Sequence, residues 1–595
     1  MTHKLVKCGI VLSFISVLLL SGLASEATPL PPLRRVNAPW FSGDVQIEQS
    51  AIFWLGKVTP TENYADVRIG YNNTELYVGV LIFDRRFWYD ESPTVATLTD
   101  YDAVTLYLDK DGNSGSAPDS NSYRLVGQLN NGEPRSDWQA AWRGTGTQWA
   151  NAAASFTTAI DSAWENGETG GFNNHQDNRG WFIEYRIPFT SLGLSGPPAQ
   201  GSLWGLGVAV HDRDDELGGL SPLKTWPENL ADNQPATWGQ LRFGMPGYTP
   251  QPSVPRGNTT IRHLLNGVNV PDAAVGGTIN NMCQVDPAGY IWNGWANFSD
   301  PHNMQVNVQN QRGIADWPCF AKYFITFPLG TVPTGKVILS ATLTLHQFGN
   351  PGIGWGDPPE PSYLQILTVG QGWDENTLTW NTAPMARENV SAAWVDPLTA
   401  YGGDPGVPRT WNVSRAVAEA YHAGEPLSLA VYSADWPLHS GRYFWSSDHD
   451  EHPAEARPTL QVYWGDPVAT LDKTAKPVTA RQGQAITYAL QLVGSGRALT
   501  LTDNLPITVS APGPIKVVGG GSASYQVGAH RIVWTGAVAA GQLVTITFPV
   551  TLVVATPIAI VNQAILSDPV LGNSSDLAIV IANGQSVALP MILRH

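Results

Sequence analysis

Short runs in which apolar and polar residues alternate recur in this chain, and glycine, proline or asparagine separates them. Within residues 33–248, the first region of the chain, such runs cover residues 65–71, 75–83 and 102–108, with a turn at Asn72 and Asn73. A period of two indicates half-buried strands, and residues 33–248 lack the long 3.6-residue period of an amphipathic helix. The composition, with 59 glycines, 45 prolines and 23 tryptophans among 595 residues, also favours antiparallel β-domains. We predict an all-β chain built from β-sandwiches.

Residues 1–27 have the pattern of an export signal peptide. A basic start is followed by an apolar run from Cys8 to Leu20 and then by small residues. This run is too short to span a bilayer as a resident helix. We therefore expect a secreted or cell-surface protein without a transmembrane segment in the mature chain. The net charge of −16, without a basic stripe, argues against a nucleic-acid partner.

Residues 33–248 resemble the family 9 carbohydrate-binding modules. The matching features, in order, are Leu76-Tyr-Val, Asp84, residues 102–109, residues 185–193 and residues 237–241. The resemblance implies a jelly-roll β-sandwich that binds the ends of sugar chains between two tryptophan rings. Relatives are usually attached to xylan-degrading enzymes.

Trp226 matches the second tryptophan of that sugar clamp. Where the first is expected, the chain has Thr99-Asp100-Tyr101, so Tyr101, Trp88 or Tyr89 would have to supply the other ring, with Asp100 beside it. Any flat ring can cover the apolar face of a pyranose. The alternative for Trp226 is a core position, which is also our interpretation of Trp238.

An acidic loop with two glycines follows the strand at 102–108. Asp109, Asp111 and Asn113 place oxygens at alternate positions, and Asp119 follows. Oxygens spaced in this way can converge on Ca²⁺, and the family resemblance implies structural calcium here. The alternative is a solvated turn, because the glycine spacing and the closing glutamate of an EF-hand are missing. We expect no other cofactor.

Residues 249–257 contain three prolines, which predict an extended linker. Residues 258–465 then resemble the DNRLRE family, also grouped with family 96 carbohydrate-binding modules, through the motif at 373–384 (WDENTLTWNTAP). The resemblance implies a second jelly-roll. Some relatives bind acidic polysaccharides, but this sequence shows no comparable basic groove, so that ligand class is not carried over.

Cys283 and Cys319 are the only cysteines of the expected mature chain. In an oxidising compartment, two cysteines in one domain are usually a disulfide. Two buried free thiols are one alternative. A zinc pair with His449 and His452 is another. Because CxxC spacing is missing, we interpret these two histidines as part of a solvated loop.

Residues 466–585 resemble the conserved repeat domain of bacterial surface proteins, an Ig-like sandwich that usually acts as a spacer. Some such domains join a lysine and an asparagine by an isopeptide bond beside a buried acid, and Lys473, Asn562 and Asp503 match this pattern. The alternative is a solvated lysine, an asparagine bonded to the backbone and a turn-forming aspartate. Residues 586–595 form an apolar tail, either a sorting tag or a final edge strand.

No motif sets two carboxylates across a cleft as a glycosidase requires, although acids such as Asp100, Asp102, Glu165, Glu168 and Glu184 are present. Nucleophile-elbow, zinc-protease and P-loop motifs are also missing. Three hypotheses follow. The first is an exported protein that binds polysaccharide or oligosaccharide and is noncatalytic by itself. The second is a structural or adhesive surface protein without a sugar ligand. The third is a glycosidase-related protein of xylan-type breakdown, acting on O-glycosyl bonds. The sequence leaves the oligomeric state open.

Overall fold

The computed structural model describes residues 33–112, 115–131, 135–164, 170–277, 290–300, 303–311, 313–351, 360–436, 440–449 and 453–584. The predicted signal peptide and the apolar tail lie outside these residues, as do Asn113, Glu165, Glu168, Cys283 and His452. The described chain consists mainly of strands, which confirms the all-β prediction. Within it, no helix combines the length and the apolar character needed to cross a membrane.

Strands β1 to β13 build the first sandwich. One sheet has the order β1-β13-β11-β5-β6-β7-β8, with β12 on β11, and the other has the order β2-β3-β4-β10-β9. The strands are β1 (Arg35–Ala38), β2 (Ala51–Thr59), β3 (Glu62–Tyr71), β4 (Glu75–Phe83), β5 (Ala103–Asp109), β6 (Ser122–Gln128), β7 (Gln139–Gly144), β8 (Trp149–Ala152), β9 (Thr157–Trp164), β10 (Asn178–Pro188), β11 (Leu203–His211), β12 (Lys224–Trp226) and β13 (Gly239–Phe243).

Strands β14 to β24 build the second sandwich. Its sheets have the orders β14-β24-β18-β23-β16, with β21 on β18, and β15-β17-β22-β19-β20. The elements are β14 (Ser253–Arg262), β15 (Asp272–Gly276), α1 (Tyr290–Asn293), β16 (Gln305–Val308), β17 (Ala321–Phe327), β18 (Val337–Gly349), β19 (Ser362–Val369), β20 (Ala386–Val395), β21 (Val407–Asn412), α2 (Ser414–Ala423), β22 (Leu427–Ser433), β23 (Arg442–Trp445) and β24 (Thr459–Pro467).

Strands β25 to β34 build the third sandwich. Its sheets have the orders β25-β27-β32-β29 and β26-β34-β33-β28-β31-β30. The strands are β25 (Thr470–Lys476), β26 (Thr479–Ala480), β27 (Ala485–Val493), β28 (Arg497–Asn504), β29 (Lys516–Val518), β30 (Ser522–Gln526), β31 (Arg531–Val538), β32 (Leu543–Thr551), β33 (Ile558–Asp568) and β34 (Gly572–Ala582).

The segment expected to be a linker is partly a strand. Residues 253–257 belong to β14, which pairs antiparallel with β24, the last strand of the same sandwich. The register shifts between Pro255 and Gly257, so the proline lies at an irregularity of the ladder. Proline lacks an amide donor and is tolerated at such positions. The prolines therefore do not exclude this segment from the sheet.

The first two sandwiches contact each other through their inner sheets, so four β-layers lie in succession. The face of β2, β3 and β4 that points away from the first core covers β17 and β22. Phe83 stacks on Trp317 at 4.8 Å between ring centroids, and Trp54 meets Phe324 edge-on at 6.3 Å. This second covered face explains why β4 is buried from Leu76 to Phe83 rather than at every other residue.

A polar cluster lies inside this contact. Lys322 of β17 is fully buried, and its ammonium lies 3.8 to 5.0 Å from the ring centroids of Trp54, Tyr64, Trp380 and Tyr432. Burial lowers the pKa of Lys322 to about 7. The hydroxyls of Tyr64 and Tyr432 each donate to Asp66 at 2.6 Å. The charged groups are thus satisfied by rings and hydroxyls from both sandwiches.

Candidate functional site

The predicted calcium loop brings acidic side chains together. Asp109, Asp111 and Asp119 each offer an oxygen within 4.8 Å of the others. Burial, followed by the charge of Asp111, raises the pKa of Asp109 to about 7. Asp111 is exposed and Asp119 is partly exposed, so the loop is open to solvent. The described part of the loop fits a hard cation with oxygen ligands, and calcium here remains a prediction.

A second acidic cluster is fully buried and was missed by the sequence analysis. Asp84, Asp102 and Asp212 also bring their oxygens within 4.8 Å of one another. Backbone amides of Trp88 and Arg213 donate to Asp102 at 2.7 and 2.8 Å, so both oxygens of this carboxylate accept from the backbone. Burial is the main cause that raises the pKa of all three.

Asp212 distinguishes this cluster from a hydrogen-bonded core network. Its side chain is 3% exposed, and neither of its carboxylate oxygens has a hydrogen-bond partner of ordinary geometry among the described residues. Asn63 and Ser221 lie near enough to lower its pKa, but burial and the charge of Asp214 outweigh them and raise the pKa to about 7. Unpaired buried carboxylates are costly, and a divalent cation would satisfy them.

The ends of the strands give the signal that could have found this cluster. Asp84 directly follows β4, Asp102 directly precedes β5 and Asp212 directly follows β11. Because β5 and β11 are antiparallel with His211 opposite Ala103, the end of β11 meets the start of β5. Asp102 and Asp212 are therefore neighbours. Asp84 comes from the facing sheet, which the sequence did not reveal.

The prediction that Trp226 is a sugar platform is wrong for this structure. Its side chain is 1% exposed and packs against Phe53 with ring centroids 4.3 Å apart. A ring covered in this way has no face left for a sugar. Trp238 is also buried, at 3% exposure, as its core interpretation requires.

Most of the other predicted sugar-binding residues are neighbours of Asp102 in the buried acidic cluster: Asp100 and Tyr101 precede it in sequence, and the Trp88 amide donates to it. Tyr101 is partly exposed, but the guanidinium of Arg213 lies 4.7 Å from its ring centroid and covers one face. Trp88 and Tyr89 are 6% and 8% exposed, and Asp100 is exposed. Trp88 and Tyr89 therefore offer little surface to a sugar, and sugar contact at Tyr101 and Asp100 stays a prediction.

A recess of about 330 Å³ opens between the first two sandwiches, at a place to which the sequence did not point. The recess is lined by residues of β1, β2, β19, β20 and the start of α2, and by the segment 245–248. Its aromatic residues are Tyr248 and Tyr363, and Arg415 is its one charged residue among those described. The neutral polar side chains of the lining are Asn37, Gln49, Gln365, Asn389, Ser391 and Asn412.

Two amide side chains make the inner wall of the recess rigid by hydrogen bonds between the sandwiches. Asn389 accepts from the Asn37 amide at 2.8 Å and donates to the Asn37 carbonyl at 3.0 Å. Gln365 donates to the Ser50 carbonyl at 2.7 Å and accepts from the Ile52 amide at 3.3 Å. The inner wall of the recess therefore forms only when the first two sandwiches are in contact.

The predicted isopeptide residues meet in the core of the third sandwich. Lys473 lies on β25 in one sheet, and Asp503 and Asn562 lie on β28 and β33 in the other. Nζ of Lys473 is 2.6 Å from Oδ1 of Asp503, and both side chains have no exposed surface. Because Asp503 pairs with Ala564, two residues from Asn562, the acid and the amide point to the same face.

Burial shifts the titration of Lys473 and Asp503 towards their neutral forms, and their mutual attraction opposes this shift. Burial lowers the pKa of Lys473 to about 8 and raises the pKa of Asp503. Asn562 is fully buried, and neither atom of its amide group has a hydrogen-bond partner of ordinary geometry among the described residues. Its side chain acts to lower the pKa of Asp503 and of Tyr488, but burial outweighs this effect and raises both. The solvated alternative for Lys473 is therefore wrong.

Two remaining sequence predictions involve residues outside the described ranges. Cys319 is 6% exposed at the end of a 3₁₀ turn (Ile314–Cys319), while Cys283 is outside the described ranges, so their disulfide remains a prediction. His449 is buried, stacks on Trp445 at 4.0 Å and lies 3.1 Å from Asp404, whereas His452 is outside. His449 thus belongs to a packed cluster rather than to a solvated loop.

No protein-family model and no curated protein matches this chain. Solved structures similar to it include a family 9 carbohydrate-binding module from Caldicellulosiruptor kristjanssonii in complex with cellotriose. That module is 16% identical, with a TM-score of 0.26, over 36% of this chain and 94% of the module. A putative carbohydrate-binding protein from Bacteroides uniformis is 11% identical, with a TM-score of 0.26, over 36% of this chain and 99% of that protein.

The N-terminal domain of a Streptococcus gordonii adhesin is also similar, at 9% identity and a TM-score of 0.17, over 93% of this chain and 94% of that domain. These similar proteins are β-sandwich carbohydrate-binding modules and surface adhesins. At such identities the likeness concerns the fold alone. The resemblances of the second and third regions to their families remain predictions.

Proposed function

We propose that this chain is an exported glycan-binding protein that acts at or outside the cell surface and is noncatalytic by itself. The first two sandwiches form the binding head, and the third sandwich is a spacer. The observation that carries the proposal is the recess between the first two sandwiches. Its lining combines aromatic rings with amide and hydroxyl groups, which is the chemistry that fixes a sugar ring by stacking and hydrogen bonds.

Calcium has a structural role in this proposal. The two acidic clusters of the first sandwich are the sites, and their residues fit Ca²⁺ because each offers several carboxylate oxygens at one point. The buried cluster of Asp84, Asp102 and Asp212 combines side chains next to β4 of one sheet with side chains next to β5 and β11 of the other. A cation there would cross-link the sandwich beneath the loop of Tyr101.

An isopeptide bond in the third sandwich is the second part of the proposal. Neutral Lys473 Nζ would attack the side-chain carbonyl carbon of Asn562, and the amide nitrogen would leave as ammonia. Protonated Asp503 would polarise the carbonyl and carry protons to the leaving group. The new amide would join the two sheets covalently, which suits a spacer that bears load.

A structural or adhesive protein without a sugar ligand is the second candidate function, and the same buried lysine, acid and amide favour it. A glycan array probed with the full mature chain separates the two candidates. Saturable binding to a glycan supports the first. Binding to no glycan, together with retention of the chain on the surface of the producing cell, supports the second.

A further inference from the structure

The recess between the first two sandwiches has a composition that selects among glycans. We infer that it is a composite site for a neutral saccharide, formed jointly by both sandwiches, and that Tyr363 and Trp394 supply its stacking surface. This inference rests on the proposed glycan binding and adds the ligand class and the residues that recognise it.

The charge of the lining argues for a neutral ligand. The protein has 50 acidic residues, yet no carboxylate is among the described residues that line the recess. Its one cation, Arg415, is already paired with Glu388 at 2.8 Å and Glu419 at 2.7 Å. An acidic sugar would find no free cation there, and a cationic ligand would find no free anion. A neutral polyhydroxy ligand meets no such penalty.

Unused hydrogen-bonding groups remain on the wall. Oδ1 of Asn37 is buried without a hydrogen-bond partner in the described part of the chain, although Nδ2 of the same side chain donates to Glu388 and to the Asn389 carbonyl. The side chains of Gln49 and Ser391 also line the recess and are partly exposed. A sugar hydroxyl both donates and accepts, so it can pair with the accessible side chains of Gln49 and Ser391.

The stacking surface is an aromatic pair beside these groups. Tyr363 of β19 lies opposite Trp394 of β20, and their ring centroids are 5.1 Å apart. Trp394 is 45% exposed although it is a large apolar side chain. It lies two residues after Ala392, which lines the recess, so it is on the same face of β20. The ring therefore extends the surface of Tyr363 towards solvent.

The test titrates the full mature chain with cello-, xylo- and manno-oligosaccharides in a calorimeter. Trp394→Ala should weaken binding about tenfold, because one stacked ring contributes roughly that factor. Ser391→Trp should abolish binding by filling the recess from a partly exposed position. Tyr463→Ala is the matched control, because Tyr463 is an exposed ring on the other sheet of the same sandwich and does not line the recess.

Each other outcome overturns a specific statement. Neutral oligosaccharide binding that is unchanged in both Trp394→Ala and Ser391→Trp overturns the site, while the proposed glycan binding stands. Array hits restricted to acidic glycans overturn the neutral class and leave glycan binding intact. The absence of any glycan ligand for the wild-type chain overturns both proposals.

Discussion

Lys322 shows how a charge is kept inside the contact between two sandwiches. Its ammonium is surrounded by four aromatic rings, and the carboxylate of Asp66 acts on it through space while already accepting hydrogen bonds from Tyr64 and Tyr432. The rings supply favourable cation–π contacts, and burial opposes them by disfavouring the charged form. The balance lowers the pKa of Lys322 to about 7.

The first prediction concerns the pH dependence of stability. An unfolded lysine has a pKa of about 10.4, so between about pH 7 and pH 10 the unfolded chain binds more protons at Lys322 than the folded chain does. The free energy of unfolding of the wild type should therefore rise with pH in this window relative to that of Lys322→Met, by at most about 1.4 kcal/mol per pH unit.

Urea denaturation from pH 7 to pH 10 measures this difference. The exposed Lys57→Met serves as the control and should follow the wild type. Tyr64 and Tyr432 stay protonated in the folded chain because burial raises both of their pKa values well above the ordinary value. Their ionisation in the unfolded chain at about pH 10 is common to the wild type and the variant, so it cancels in the difference. A difference between wild type and Lys322→Met that is constant with pH would refute the shifted lysine.

The second prediction concerns calcium. Added Ca²⁺ should raise the melting temperature of the head, since a ligand at 100 times its dissociation constant stabilises the folded state by about 2.7 kcal/mol. Asp212→Asn should remove the contribution of the buried cluster, and Asp111→Asn that of the open loop. The exposed Asp161→Asn is the control. Because Ca²⁺ and protons compete for carboxylates, the rise in melting temperature on adding Ca²⁺ should be larger at pH 8 than at pH 5.5. Melting curves that are identical with calcium and with chelator would contradict it.

At the scale of strands, local patterning predicts one-sided burial well. In β27 the residues alternate between buried and exposed or partly exposed positions, as the sequence indicates, because one face of the strand is open to solvent. In β3, β4 and β22 the second face is covered by a neighbouring sandwich, and their nearly continuous burial is a property of that contact. Their apolar residues are visible in the sequence, but the partner that covers them is not.

The candidate sites show the same division. The loop of Asp109, Asp111 and Asp119 was found because its ligands are close in sequence. Trp226 was misassigned because its exposure depends on Phe53, which is distant in sequence. Residues of the motif at 373–384 lie in the contact between the first two sandwiches. Trp380 contacts Lys322 there. The Asn381 side chain accepts from the Val58 amide and donates to the Val58 carbonyl, both at 2.8 Å.

The third prediction concerns the third sandwich. If the isopeptide bond forms, the intact mass of the chain is lower than the sequence mass of the mature protein by one ammonia molecule. Lys473→Ala should restore the calculated mass of the variant and lower the melting temperature of this sandwich, because the two sheets lose their covalent link. Lys476→Ala, an exposed lysine on the same strand, is the control and should keep the deficit. A wild-type mass without the deficit refutes the bond.

At the scale of the molecule, the shared core of the first two sandwiches gives the fourth prediction. Buried residues at the contact of these two sandwiches join the core of the first sandwich in one hydrophobic cluster, and the second sandwich has a further cluster of its own, whereas the third sandwich forms a separate cluster. Calorimetry should therefore show one transition for residues 34–467 and a separate one for the third sandwich. Trp317→Ala should lower only the free energy of unfolding of the first transition, by about 3–5 kcal/mol. Trp534→Ala should lower only that of the second transition. Independent transitions for the first and second sandwiches would contradict a shared core.

The measurement that tests the central claim most directly combines titration with a product assay. The full mature chain is titrated with the strongest ligand from the glycan array, and the same mixture is assayed for new reducing ends. The proposal predicts saturable binding without release of reducing sugar. A chain that binds none of the glycans, or one that releases reducing sugar from them, would contradict a noncatalytic glycan-binding protein.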